Sequence, residues 1–272
     1  AEEADVIKTM RQAVGKHHTL AAGNFTGILL RRAALGVYGG GTVKTLVSKS
    51  EDEGGLEVLD AYADQNLMLT FSLAESFFSD HLYLGVTAKY LERTVGELSF
   101  GLSDVADADA LIEDQDQYTG KGKGTGADFG LMYRTQGRMR FSFGATVKDI
   151  GDTAVIPDAE TNVELKLRQT VNVGFSLEPR TKTSAIKLLA DFRDVTNRYH
   201  NNLLKKVHLG GELSVMDFIG IMGGLHQGYP TGGLYFDIRF LRLDLGMYTM
   251  EVGERVGARP DQRFVFRLQV AL

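Results

Sequence analysis

The chain has 272 residues, and no linker rich in Pro, Ser or Gly divides it, so it reads as one domain. Hydrophobic residues make up 43% and charged residues 24%, with 32 Gly against 4 Pro, a balance that suits a long-stranded β protein better than a disordered or helical one. The lack of Cys excludes disulfides and thiolate metal sites; a net charge of -5 without a basic block argues against nucleic acid as partner; and no apolar run reaches the roughly 18 residues of a transmembrane helix.

In chain order, Ala1 to Asp5 (AEEAD) has neither the basic start nor the apolar stretch of a secretory signal, and is compatible with what remains after cleavage at a small-residue site. Glu2 to Val14 spaces Ala4, Ile7, Met10, Arg11 and Val14 for one face, which predicts a short N-terminal helix. Residues 1–18 are therefore expected to form a helical plug or loop piece, and 19–272 the main body.

From about Leu20 the period is two. In the clearest case Met139, Phe141, Phe143, Ala145 and Val147 alternate with Arg140, Ser142, Gly144, Thr146 and Lys148. The pattern continues with Val171, Val173, Phe175 and Leu177, then Ile186, Leu188, Ala190 and Phe192, then Leu209, Leu213 and Val215. It closes with Leu234, Phe236 and Ile238, with Leu241, Leu243, Leu245 and Met247, and with Phe264, Phe266, Leu268, Val270 and Leu272.

Soluble sandwiches also alternate, so strand length decides. Runs of about 9 to 12 residues match a tilted strand crossing hydrocarbon, whereas soluble strands average about 5 to 6. Connections alternate between short (near 31, 74–80, 135–137, 178–182, 216–218, 240) and long (50–64, 94–125, 151–164, 195–203, 227–231, 252–261), the rhythm of periplasmic turns and external loops. The fold expected is all-β, a transmembrane antiparallel up-and-down barrel of about 12 to 14 strands in the bacterial outer membrane. A count near thirteen calls for one further strand upstream, or one miscount, and the first points to a native N-terminal piece outside the sequence. The alternative is a soluble β-sandwich, which requires the faces of Phe141, Phe143, Phe236 and Phe266 to be buried against a second sheet.

Alternation places Lys89, Arg134, Arg140, Lys148, Lys187, Asp191, Arg193, Glu212, Asp237, Arg239, Arg242 and Asp244 on the lumen side. Two readings follow: an ion-pair network across neighbouring strands, which the general behaviour of barrel lumens favours, or a polar pathway for a solute. Residues 120–126 (GKGKGTG) lack the Walker spacing and read as a flexible external loop whose two lysines reach lipopolysaccharide phosphates. Asp104, Asp107, Asp109, Glu113, Asp114 and Asp116 lack the ordered spacing of a calcium loop. The Asp128-Phe129-Gly130 triplet has no kinase counterpart elsewhere in the chain. The six histidines show no metalloprotease spacing and no Ser occupies a G-x-S-x-G elbow, leaving His208 with Ser214 or Ser184 as the one hydrolase arrangement to test. The expectation is a non-enzymatic protein with no catalytic residues, metal or cofactor. Tyr83, Tyr90, Tyr133, Tyr199, Tyr229 and Tyr248 fall toward strand ends, where an aromatic girdle sits.

Residues 126–134 (GADFGLMYR), 143–151 (FGATVKDIG), 189–194 (LADFRD), 226–233 (HQGYPTGG) and 253–266 (GERVGARPDQRFVF), in that order, resemble the FadL-like superfamily of outer-membrane barrels, most closely its TraF-like and PorV-like relatives. The resemblance runs from about Thr19 to the end and implies about fourteen strands. The Asn-Pro-Ala hatch motif of the fatty-acid transporters does not occur, and the chain ends in Leu272 where such barrels usually end in an aromatic residue. Two functions are expected: transport of a small, in the fatty-acid members hydrophobic, molecule across the outer membrane, or a plugged scaffold whose external loops bind a secretion, conjugation or motility partner. The partners expected are outer-membrane lipid and lipopolysaccharide, a hydrophobic ligand or an envelope protein, and no nucleic acid.

Overall fold

A computed structural model describes residues 14–15, 17–49, 57–101, 118–181, 183–199, 201–216, 218–253 and 255–271. These form an all-β, antiparallel up-and-down barrel sheet. Its strands are β1 (His17–Leu29), β2 (Ala33–Lys49), β3 (Glu57–Phe77), β4 (Leu82–Gly101), β5 (Thr119–Arg134), β6 (Met139–Lys148), β7 (Val155–Pro157), β8 (Thr170–Pro179), β9 (Ser184–Phe192), β10 (Val207–Val215), β11 (Ile219–His226), β12 (Tyr229–Ile238), β13 (Leu241–Glu251) and β14 (Pro260–Val270). Thirteen strands neighbour one another in chain order, while β7 pairs only with β5. One sheet wound in chain order supplies no second sheet to face, so the sandwich alternative is not what forms.

Connectivity explains the order. Links 30–32, 78–81, 135–138, 180–183, 216–218 and 239–240 are too short for anything but antiparallel neighbours. We call their side the turn end and the opposite side the loop end. At the loop end, three connections expected to be long are shorter. β3 starts at Glu57, β4 runs on to Gly101 and β5 starts at Thr119, so strand replaces much of 50–64 and 94–125. The expected loop 227–231 is a two-residue turn in which both Gln227 (φ 53°) and Gly228 (φ 85°) are left-handed, the geometry that matches strand twist in a tight hairpin.

No α-helical element occurs among the described residues. The helix expected over Glu2 to Val14 lies outside them except for Val14, which bridges Val47, and His17 and His18 already belong to β1. The acidic stretch 104–116 also lies outside them.

The chain divides into two compact units. The first comprises Ala1–Ser72, Ala88–Gly126 and Asp152–Leu167; the second comprises Leu73–Thr87, Ala127–Gly151 and Arg168–Leu272. In the first, Leu91, Val95, Val155 and Leu165 form a buried apolar cluster on the inner face. In the second, apolar side chains point away from the inner face: Phe141, Phe175, Leu188, Leu209, Ile221, Phe236 and Phe266 are 38% to 69% exposed. Such a belt is far beyond the isolated apolar residues a soluble monomer shows.

Candidate functional site

In the first unit the inner face is covered by the chain itself. Along β5, Gly120, Gly122, Gly124 and Gly126 face inward, while Lys121 and Lys123 face outward and Lys123 pairs with Glu92 at 3.5 Å. A Cβ on Gly122 would stand 2.5 Å from the Ile156 carbonyl oxygen, and one on Gly124 would stand 2.6 Å from that of Ala154. Only a strand without side chains on that face lets β7 pair through Gly122 and Gly124 and lets Leu165 pack beside Gly120. The external loop expected at 120–126 is therefore strand, and its glycines are a bed for residues 152–167. Arg93 fastens this strap: Nη1 donates to the Leu165 carbonyl at 2.9 Å, while Nη2 and Nε donate to Asp64 Oδ2 and Oδ1 at 2.8 and 3.2 Å. Thr153 and Leu167 exchange backbone hydrogen bonds at 2.9 and 3.1 Å, and Lys166 pairs with Asp152 at 2.8 Å. Lys89 lies buried on this inner face, its Cε against Gly126.

In the second unit the inner face is polar and divides into two regions. At the turn end five of the expected residues meet. Lys187 pairs with Glu212 at 3.6 Å, and Arg242 pairs with Asp237 at 3.6 Å and Asp244 at 3.0 Å. The alternation also carried Tyr235 and Arg267, which were not singled out, into the same network. Tyr235 donates to Glu212 at 3.1 Å and lies 4.0 Å under the Arg242 guanidinium, while Arg267 reaches Asp244 at 3.1 Å. Glu178 and Arg180 pair beside them. These side chains surround only about 190 Å³ of space.

At the loop end the same face is open. A cavity of about 890 Å³ is lined by Lys148, Asp191 and Arg193, and a second of about 560 Å³ by Arg193, Lys205, Lys206, His208 and His226. The two share Thr170, Asn172 and Arg193. His208 and His226 are directly opposed across β10 and β11, with Nδ1 atoms 3.0 Å apart, and the ring of Tyr248 meets His226 edge-on at 5.2 Å. Of the remaining expected residues, Arg134 donates to Ser142 at 3.3 Å, Arg140 is half-buried beside neither cavity, and Arg239 sits in a turn at φ 56° rather than on a strand face.

No protein-family model matches the chain, and no curated protein is similar to it. Among solved structures it is similar to CdiB from Escherichia coli, with 13% identity and a TM-score of 0.45 over 93% of this chain and 53% of CdiB. The chain spans about half the length of that protein.

His208 and Ser214 lie six residues apart on β10, roughly 20 Å at strand rise, so they form no nucleophile pair. Ser184 opposes Val215 at the same far end. Among the described residues no group of three or more His, Cys, Asp or Glu side chains is arranged to hold a metal.

Beyond the apolar belt, the loop end carries a folded cap. The outward face turns polar at Thr249 and Gln262, and one step further Glu251 is fully buried. Burial opposes its ionisation, but the Tyr229 hydroxyl and the backbone N–H groups of Arg259, Gly253 and Gly257 donate to it at 2.6 to 2.8 Å and hold it at about 2. Residues 252–253 and 255–259 are thereby gathered around one carboxylate.

Proposed function

We propose that the chain is a bacterial outer-membrane barrel that admits a small polar solute from its loop end into a wet interior. The observation that carries this reading is the inversion of an ordinary globule in the second unit: large apolar side chains outward along strand after strand, charged and hydrogen-bonding side chains inward. The two loop-end cavities give a solute a place to enter, and the turn-end ion-pair cluster is where passage through the second unit is restricted. The architecture and strand number are compatible with a FadL-like transporter. The charged cavity walls favour a polar solute over the hydrophobic one that the resemblance implies. We read the protein as non-enzymatic and free of cofactor. Outward Lys121 and Lys123, beyond Tyr90 and Glu92, suit lipopolysaccharide phosphates at the outer boundary.

A second reading, a plugged scaffold acting through its loops, draws on the strap over the first unit's inner face. Planar-bilayer conductance separates the two, run on protein whose folding is verified by heat-dependent gel migration. Discrete conductance steps are expected for transport. A folded but electrically silent barrel overturns that reading in favour of the scaffold.

A further inference from the structure

Charge is distributed unevenly along the second unit's inner face. At the turn end every named carboxylate has a cationic partner: Glu178 with Arg180, Glu212 with Lys187, Asp237 and Asp244 with Arg242. At the loop end four cations line the two joined cavities, Lys148, Arg193, Lys205 and Lys206, and none makes an ion pair among the described residues. Lys205 donates to the Gly253 carbonyl at 2.8 Å and Lys206 to the Asn197 side-chain oxygen, both neutral acceptors. The two carboxylates in the same walls do not cancel this charge. Asp194 is engaged by the backbone N–H groups of Arg198 and Tyr199, each at 2.8 Å, and the four cations against Asp191 and Asp194 leave the lining with two positive charges in excess.

We propose that this loop-end cavity binds a small oxyanion, a free phosphate- or carboxylate-bearing solute, with Arg193 as its principal anchor. Arg193 stands where the two cavities meet, and among the described residues no carboxylate or carbonyl occupies its guanidinium, whose planar fork of donors matches an oxyanion. Lys148 adds charge on one side; His208 and His226, hydrogen-bonded Nδ1 to Nδ1 across 3.0 Å, place a polar ring edge on the other. A confined wall with unpaired cations concentrates anions, and a volume of about 560 Å³ suits a small organic anion rather than a bulky lipid. The site faces the inner side of the sheet, away from the apolar belt, so the anion comes from solution and not from a lipid headgroup.

This inference rests on the proposed wet interior and names the class of solute. Its test is calorimetric titration of the folded full chain, in zwitterionic detergent at low salt, with inorganic phosphate and with citrate. Saturable binding is expected, weakened about tenfold or more by Arg193→Gln, less by Lys148→Gln, partly restored by Arg193→Lys, and unchanged by Arg140→Gln. Heat-dependent gel migration verifies that each variant is folded. No binding at millimolar phosphate, or binding indifferent to Arg193→Gln, overturns the proposal; so does binding that appears only when lipopolysaccharide is added. Conductance is measured separately: binding by a silent barrel removes transport and leaves the site, whereas conductance without binding removes the site and leaves transport.

Discussion

Arg93 and Glu251 each hold a loop segment by ionic hydrogen bonds, and the two respond differently to perturbation. The side chains of Arg93 and Asp64 are 12% and 19% exposed, so Arg93→Met leaves a largely buried carboxylate with Tyr62 and Asn66 as its remaining donors among the described residues. A destabilisation of about 3 kcal/mol is expected, read as lost amide-exchange protection across 152–167. Glu251→Gln replaces one acceptor oxygen by a donor facing backbone N–H groups, and is expected to cost about 2 kcal/mol in local opening of 252–259. Acid acts on the same contact. Because the pKa of the folded carboxyl is held at about 2, its contribution is complete above the ordinary value of 4.5 and is lost as pH falls toward 2. Protection factors, exchange rates corrected for the intrinsic pH dependence of amide exchange, should therefore fall over that window in 252–253 and 255–259, while in Glu251→Gln they should be indifferent to it.

At the scale of the element, β5 is the informative strand. Its outward Lys121 and Lys123 and inward Gly120, Gly122, Gly124 and Gly126 keep strict period two, yet half the positions carry no side chain. Gly122→Val drives a Cβ into a backbone carbonyl that cannot move without breaking the β5–β7 ladder, so displacement of the strap is expected. Gly120→Ala meets only side-chain atoms, Leu165, Thr161 and Val163, each at 3.2 Å, and a smaller change is expected. A cysteine introduced at Val155, which is buried at 8% exposure in the seated strap, would report both through its labelling rate, with the Val variant much faster than the Ala variant. Equal rates would mean that the glycines are not what seats the strap.

At the scale of the whole molecule, the apolar belt makes a prediction that no soluble reading shares. Leu188, midway along β9, is 51% exposed. In water Leu188→Arg at such a site costs little, whereas in a bilayer a mid-belt arginine costs about 2 to 4 kcal/mol and one near the interface about 0 to 1. Denaturant titration of protein folded into lipid vesicles should therefore rank Leu188→Arg well below Thr249→Arg in stability. The turn-end cluster makes a second prediction: Asp244→Asn removes the carboxylate shared by Arg242 and Arg267, and a larger or noisier conductance than the parent's is expected. Unchanged conductance would place the restriction elsewhere.

Period two, strand length and link length were legible in the residues, because each is a local property of chain geometry: side chains alternate at every step, and short links permit only antiparallel neighbours. Those features were enough to derive the barrel class and a strand number within 12 to 14, and alternation set Lys187, Glu212, Asp237, Arg242 and Asp244 on one face. The rest depended on contacts between residues distant in sequence. Nothing local distinguishes a glycine-rich loop from a glycine-faced strand, since the distinction lies in Leu165 and Ile156, some 34 to 45 positions away. The separation of the interior charges into a paired turn-end cluster and an unpaired loop-end cavity was also closed to sequence reading. Alternation reports which face a side chain takes, whereas pairing depends on cross-strand register, and only the tertiary structure sets that register.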